Sequence, residues 1–207
     1  MSAKKYTKEQ ALKIVTSCAR EYNKTLKNHR FLLAYKEGGV LKYTIVLFRT
    51  HNFLHLTGLK TKDNAKEFYN KCTTSRLSVN DFEFDKAGNA HLKLSVLHMV
   101  PTMFYNHNLI GDFLRIGQYV EADYFIGMPN KDVSLGFRSQ LLNDDYPVTL
   151  YKCDIKQLTT ATNKIIGIWR LDYKRSVITY IATDQNEDDL TKQLLSIGAP
   201  LKLLVTA

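Results

Sequence analysis

Residues 49–62, RTHNFLHLTGLKTK, crowd two histidines, three threonines and three cations around one short apolar run. Imidazole titrates near neutral pH and can either take or give a proton. Hydroxyl and ammonium groups can hold the charge on a phosphate. Read as a strand, residues 53–57 turn Phe53, His55 and Thr57 to one face and Leu54 and Leu56 to the other. Same-face neighbours on a strand lie about 7 Å apart, room for one phosphodiester. Gly58 allows a close backbone approach. Lys60 and Lys62 follow, then the start of a helix, whose free N–H groups and dipole favour anions.

That set of groups suits metal-free cleavage of RNA. The ribose 2′-OH must lose a proton and the leaving 5′-oxygen must gain one, and His55 can do either job. Thr57 would donate to the phosphate and Lys60 would stabilise its charge. The competing reading makes His55 a packing residue in an apolar strand and His51 an ordinary surface group. His91, His98 and His107 lie in or near a helix, but no H-E-x-x-H pattern or carboxylate cluster joins them, so no metal and no cofactor is expected. Neither a phosphate-binding glycine loop, a dinucleotide fingerprint nor a nucleophile elbow is present. Asp144 and Asp145 are adjacent and read as a turn before Pro147.

The elements that must position these groups begin with residues 7–27. Ala11, Val15, Cys18, Ala19, Tyr22 and Leu26 recur at helical steps, and Thr7 with Gln10 has capping-box spacing. Residues 30–36 and 40–48 read as a hairpin turning at EGG. A helix over about 62–74 starts at Thr61 or Asp63, and another over about 90–100 bends or ends near Pro101. Strands follow at about 119–127, 133–138, 147–151, 164–171 and 175–182, the last two joined by LDYKRS. Short helices fit 154–158 and 187–196, where three acids at the start of the latter complement its dipole. Helices followed by strands point to an α+β fold: an antiparallel sheet core, an N-terminal helix and hairpin layer, and additional packed helices. One domain over 1–207 is expected, with a basic helix–hairpin part (1–76) and a sheet-rich part (77–207).

The net charge of +9 is uneven: residues 1–76 carry +11 and residues 77–207 carry −2. A one-sided positive field suits an anionic partner such as RNA. Cys18, Cys72 and Cys153 are far apart, so buried thiols are expected in place of disulfides or a zinc cluster. No apolar run approaches the roughly 20 residues of a membrane span, and the polar N-terminus has no signal-peptide character, so no membrane association and a cytoplasmic location are expected.

The stretch NFLHLTGLKTKDNAKEFYNKC resembles the phage-type Barnase–EndoU–colicin–RelE-like nucleases, in the subgroup with an F-L-H-L-T-G segment. The similarity continues through LSVNDFEFDKAGNAHLKLSVL (77–97), IGD (110–112), LGF (135–137) and DIKQLT (154–159), and is most specific over 50–97. It implies an α+β fold with a helical N-terminal part and a four-stranded antiparallel sheet. It also implies a metal-independent endoribonuclease, usually carried by prophages or mobile elements. His55 and Thr57 sit in the matching segment. Beside the resemblance, Arg138 at a strand end could hold a phosphate, and Ser134 or Lys60 could donate to it. Tyr151 and Lys152 rank below these.

The expected activity is RNA cleavage by 2′-OH attack, leaving a 2′,3′-cyclic phosphate, in a toxin, an exclusion factor or a processing enzyme. The alternative is a non-catalytic protein on the same scaffold that binds RNA or a host, defence or immunity protein. A DNA-binding regulator is a third reading, without a helix-turn-helix pattern to support it.

Overall fold

The computed structural model describes residues 5–115, 121–141, 144–172, 177–183 and 186–201. Helix α1 (Lys8–Thr25) starts where expected. The Thr7 side chain accepts from the Gln10 backbone N–H while the Gln10 side chain accepts from that of Thr7. Its buried stripe is Ala11, Val15, Cys18, Ala19 and Tyr22. Strands β1 (Arg30–Glu37) and β2 (Val40–Leu47) form the hairpin, and Gly38 and Gly39 both hold the positive φ that a two-residue turn requires.

The next segment departs from expectation. Residues Asn52–Thr57 form a short helix, α2, ended by Gly58 at φ +69°. Phe53, Leu56 and Thr57 are buried at helical spacing. A five-residue apolar run satisfies either period, and here packing against the sheet and a left-handed glycine cap select the helix. Strand β3 (Leu59–Thr61) pairs with β4 (Phe82–Phe84) as a small separate ribbon. Helix α3 (Ala65–Thr73) is capped by Asn64, whose side chain accepts from the Glu67 N–H, in place of Thr61 or Asp63. Instead, Thr61 accepts from the Asp63 N–H within the loop. Helix α4 (Asn89–Val96) follows Gly88, and a 3-10 turn leads into α5 (Val100–Met103), so Pro101 sits in a first turn where its missing N–H costs little.

Strand β5 (Leu109–Asp112) carries the IGD segment and was not expected. It is followed by β6 (Tyr124–Gly127), β7 (Ser134–Arg138), β8 (Tyr146–Tyr151), β9 (Asn163–Asp172), β10 (Val177–Thr183) and α6 (Glu187–Ser196). The expected start of the strand near 119 and the YKRS turn fall on residues outside those described. All pairings in the main sheet are antiparallel, in the order β2-β1-β9-β5-β6-β7-β8, with β10 also on β9. The sheet curls until its ends meet. Leu47 N–H donates to the Asp145 carbonyl and Asp145 N–H to the Ile45 carbonyl, each at 2.8 Å. Asp144 and Asp145 therefore do more than make a turn. Asp144 pairs with Arg30 at 2.5 Å, and the buried Asp145 carboxylate accepts from Thr44, Tyr124 and the Gln140 N–H.

The α+β fold thus has helices on both faces of β1. Phe31 and Leu33 face the main core with Tyr22, Phe53, Phe104 and Phe137, while Leu32 and Ala34 face Trp169 and the α6 residues Leu190 and Leu194. Cys18 and Cys72 lie buried in that main core, where loss of water pushes their thiols up to about 11 and about 12. Among the described residues no helix is long and apolar enough to cross a membrane.

Candidate functional site

Helix α2 lies against β8 and α4. Its inner face is anchored by Asn52, whose side chain accepts from the Arg49 N–H and donates to the Pro147 carbonyl. Its outer face carries His51 and His55, both exposed. Four residues apart on a helical backbone, their Cβ atoms lie about 6 Å from each other. Desolvation against the surface lowers the pKa of His51, and the positive charges of Arg49 and His55 lower it further. The histidine that the sequence suggested was a bystander is therefore next to the candidate.

Lys93 is the group that the sequence reading missed. It lies on α4, half-buried, and its ammonium donates to the His55 carbonyl at 2.9 Å and to the Thr149 hydroxyl at 3.3 Å. Burial lowers its pKa, with the Asp85 carboxylate working the other way. Gly58 makes this approach possible. A Cβ there would stand 3.0 Å from both the Ala90 Cα and the Lys93 Cδ. The available signal was a lysine inside the apolar stripe Ala90–Leu94–Leu97, which charge counting alone does not single out.

Two concavities flank α2. At its N-terminal end an open groove of about 440 Å³ is lined by Asn28, Arg30, Arg49, Thr50 and His51, with Leu47 as floor. At its C-terminal end a cleft of about 340 Å³ lies between α4 and β8, bounded by Gly58, Leu92, Lys93, Tyr151 and Lys152. Cations line both, Arg30 and Arg49 in the groove and Lys93 and Lys152 in the cleft, with Asp144 paired to Arg30 and Asp85 in the cleft wall.

Of the other expected site residues, the structure brings none directly beside His55. Thr57 does not share a face with it. Its hydroxyl is fully buried, donates to the Leu54 carbonyl at 2.7 Å and accepts from the Leu59 N–H at 3.1 Å. Those two bonds occupy it in ending α2, so the expected phosphate contact has no free geometry. Ser134 is likewise buried and donates to the Cys153 carbonyl, fixing the segment that follows Tyr151 at the end of β8. Arg138 sits exposed at the far end of β7 and pairs with Glu121 at 2.8 Å. Lys60 is exposed on β3, opposite Glu83. His91 is a packing residue, stacked on Phe84 and accepting from the Tyr6 N–H at Nδ1. Among the described residues no group of three or more His, Cys, Asp or Glu side chains could hold a metal ion.

Fold and surface together define an α+β protein with two exposed imidazoles four residues apart at α2. Residues 14–187 match the family described as phage-Barnase-EndoU-ColicinE5/D-RelE like nuclease 4, and the chain belongs to that family. Family membership points to a nuclease of that type with a nucleic acid substrate. No curated protein and no solved structure matches the chain.

Proposed function

We propose that the protein is a metal-independent endoribonuclease of a phage or mobile element, with His51 and His55 as its acid–base pair. The observation that carries this reading is the exposed His51–His55 spacing on α2, flanked by Arg49 on one side and Lys93 on the other. His51, held toward its neutral form, takes the proton of the ribose 2′-OH. The 2′-oxygen attacks phosphorus, the P–O5′ bond breaks, and His55 gives its proton to the leaving 5′-oxygen. The products are a 2′,3′-cyclic phosphate and a 5′-hydroxyl. Arg49 and Lys93 stabilise the charge that builds on the non-bridging oxygens. Thr57 and Ser134 act as positioning residues, the first for α2 and the second for the segment after β8. Lys60 and Arg138 would guide the strand from further away.

A second reading has an observation behind it. The Thr57 and Ser134 hydroxyls are spent inside the fold, which suits a scaffold that binds RNA, or a host, defence or immunity protein, without cutting anything. Incubation of wild-type and His55→Ala protein with mixed RNA in EDTA, followed by end-group analysis, separates the two. Cyclic-phosphate ends from the wild type alone support catalysis. Absence of cleavage by either protein, with RNA binding retained, leaves the binding reading, and equal cleavage by both removes His55 from the chemistry.

A further inference from the structure

The cleft between α4 and β8 is a second feature of the same surface, and its lining differs in character from the groove at the other end of α2. The groove is walled by two guanidinium groups and an imidazole. The cleft combines the phenol ring of Tyr151, the apolar side chain of Leu92, the amide of Asn89, the ammonium groups of Lys93 and Lys152 and one carboxylate, Asp85, which accepts from the Ala90 N–H. Leu92 is 39% exposed and supplies the apolar part of the cleft wall. The Tyr151 ring is half-buried, held edge-on to Phe125 at 5.8 Å between centroids. At about 340 Å³ the cleft lies within the usual range for small-ligand sites, roughly 300–1,000 Å³.

A flat ring and an apolar wall suit the faces of a nucleobase. An amide that both donates and accepts suits its edge. A cation at the rim suits the phosphate attached to it. We propose that this cleft receives one unstacked base of the nucleic acid strand, adjoining the phosphate held at α2, and so makes the protein selective for single-stranded substrate. The proposal rests on the nuclease reading for the class of ligand. Lys93 joins the two places physically, because the side chain that lines the cleft also holds the His55 carbonyl. A base within a duplex stays stacked and paired, and must be extruded before it can enter such a site. Stacking on an aromatic ring tolerates different bases, so selectivity for strandedness should exceed selectivity for sequence.

The test uses the full chain and a fluorescein-labelled 2′-O-methyl hexanucleotide, which cannot be cut by 2′-OH attack, read by anisotropy. The same sequence annealed to its complement is the duplex arm. Wild-type protein should bind the single strand more tightly than the duplex. Tyr151→Ala should raise Kd for the single strand about tenfold, the scale of losing one base–ring stack, while Tyr151→Phe binds as wild type. Because Tyr151 also packs on Phe125, the exposed Lys152→Glu variant provides an independent arm. It should weaken binding and flatten its salt dependence. Wild-type preference for the duplex, or unchanged binding by both Tyr151→Ala and Lys152→Glu, overturns the proposal. Cleavage of an unmodified strand is scored separately. Tyr151-dependent binding without any cleavage retains the base site and removes the nuclease reading. Cleavage without Tyr151 or Lys152 dependence does the reverse.

Discussion

The Lys93 ammonium sits 2.9 Å from the main-chain carbonyl of His55, so a cation on one helix is fastened to the turn that carries the candidate acid. The bond ties α4 to α2 and leaves a positive charge at the backbone of His55. Its cost is a half-buried ammonium, whose pKa burial has lowered.

Replacement of Lys93 by methionine should cut turnover at least tenfold while leaving stability at pH 7 within about 1 kcal/mol of wild type, since two hydrogen bonds are lost but a desolvated charge is removed. The pH dependence has a definite sign. The folded pKa lies below the unfolded one, so the burial penalty is fully present below the folded value and fades as pH rises toward the unfolded value. Any stability advantage of Lys93→Met should therefore shrink with rising alkalinity. Urea midpoints measured from pH 7 to pH 10 check this, and a gap that widens contradicts it.

Gly58→Ala should destabilise the protein by about 1–3 kcal/mol. The backbone there holds φ +69°, and the added methyl would crowd the Ala90 Cα and the Lys93 side chain. Denaturant unfolding gives the magnitude. Because the clash reaches Lys93, turnover should fall further than global stability explains.

Thr57 separates a positioning role from a phosphate contact. Thr57→Val removes the acceptor for the buried Leu59 N–H and the donor to Leu54, which should cost about 1–3 kcal/mol. Thr57→Ser keeps both bonds and should retain KM and most of kcat. A serine variant with a large rise in KM would instead argue that the threonine side chain reaches substrate.

His51 should define the acidic limb of the activity profile, rising below the ordinary histidine range because its pKa is lowered. Arg49→Gln removes one of the like charges responsible, so that limb should move toward higher pH. The same shift affects stability: the unfolded chain binds this proton more tightly, so His51 costs stability as pH falls through the unfolded value toward the folded one. Proton NMR titration of the His51 ring in wild type and Arg49→Gln measures the shift directly. A downward move on loss of Arg49 would refute the electrostatic account.

Much of the frame was legible because its signals are local. The Thr7–Gln10 capping box, the apolar stripe of α1, the Gly38–Gly39 turn and the acids opening α6 each act within a few residues of themselves. The small ribbon β3–β4 and strand β5 were missed because three- and four-residue strands carry too little pattern to separate them from loops. In the candidate site, His55 was legible by residue type and Tyr151 and Lys152 as lower-ranked candidates, whereas Lys93 and the pairing of His51 with His55 depended on which elements meet.

By itself the sequence determined the α+β character, the basic N-terminal third and the presence of titratable imidazole beside glycine and lysine. The tertiary structure decided whether FLHLT became a strand or a helix, and thereby which side chains face water. That choice could not be local, since five residues satisfy both periods. It was made by burying Phe53 and Leu56 against the core and by bonding Asn52 to Pro147, almost a hundred residues away in the chain. The same burial turned the Thr57 hydroxyl inward and left His51 and His55 together on the outside.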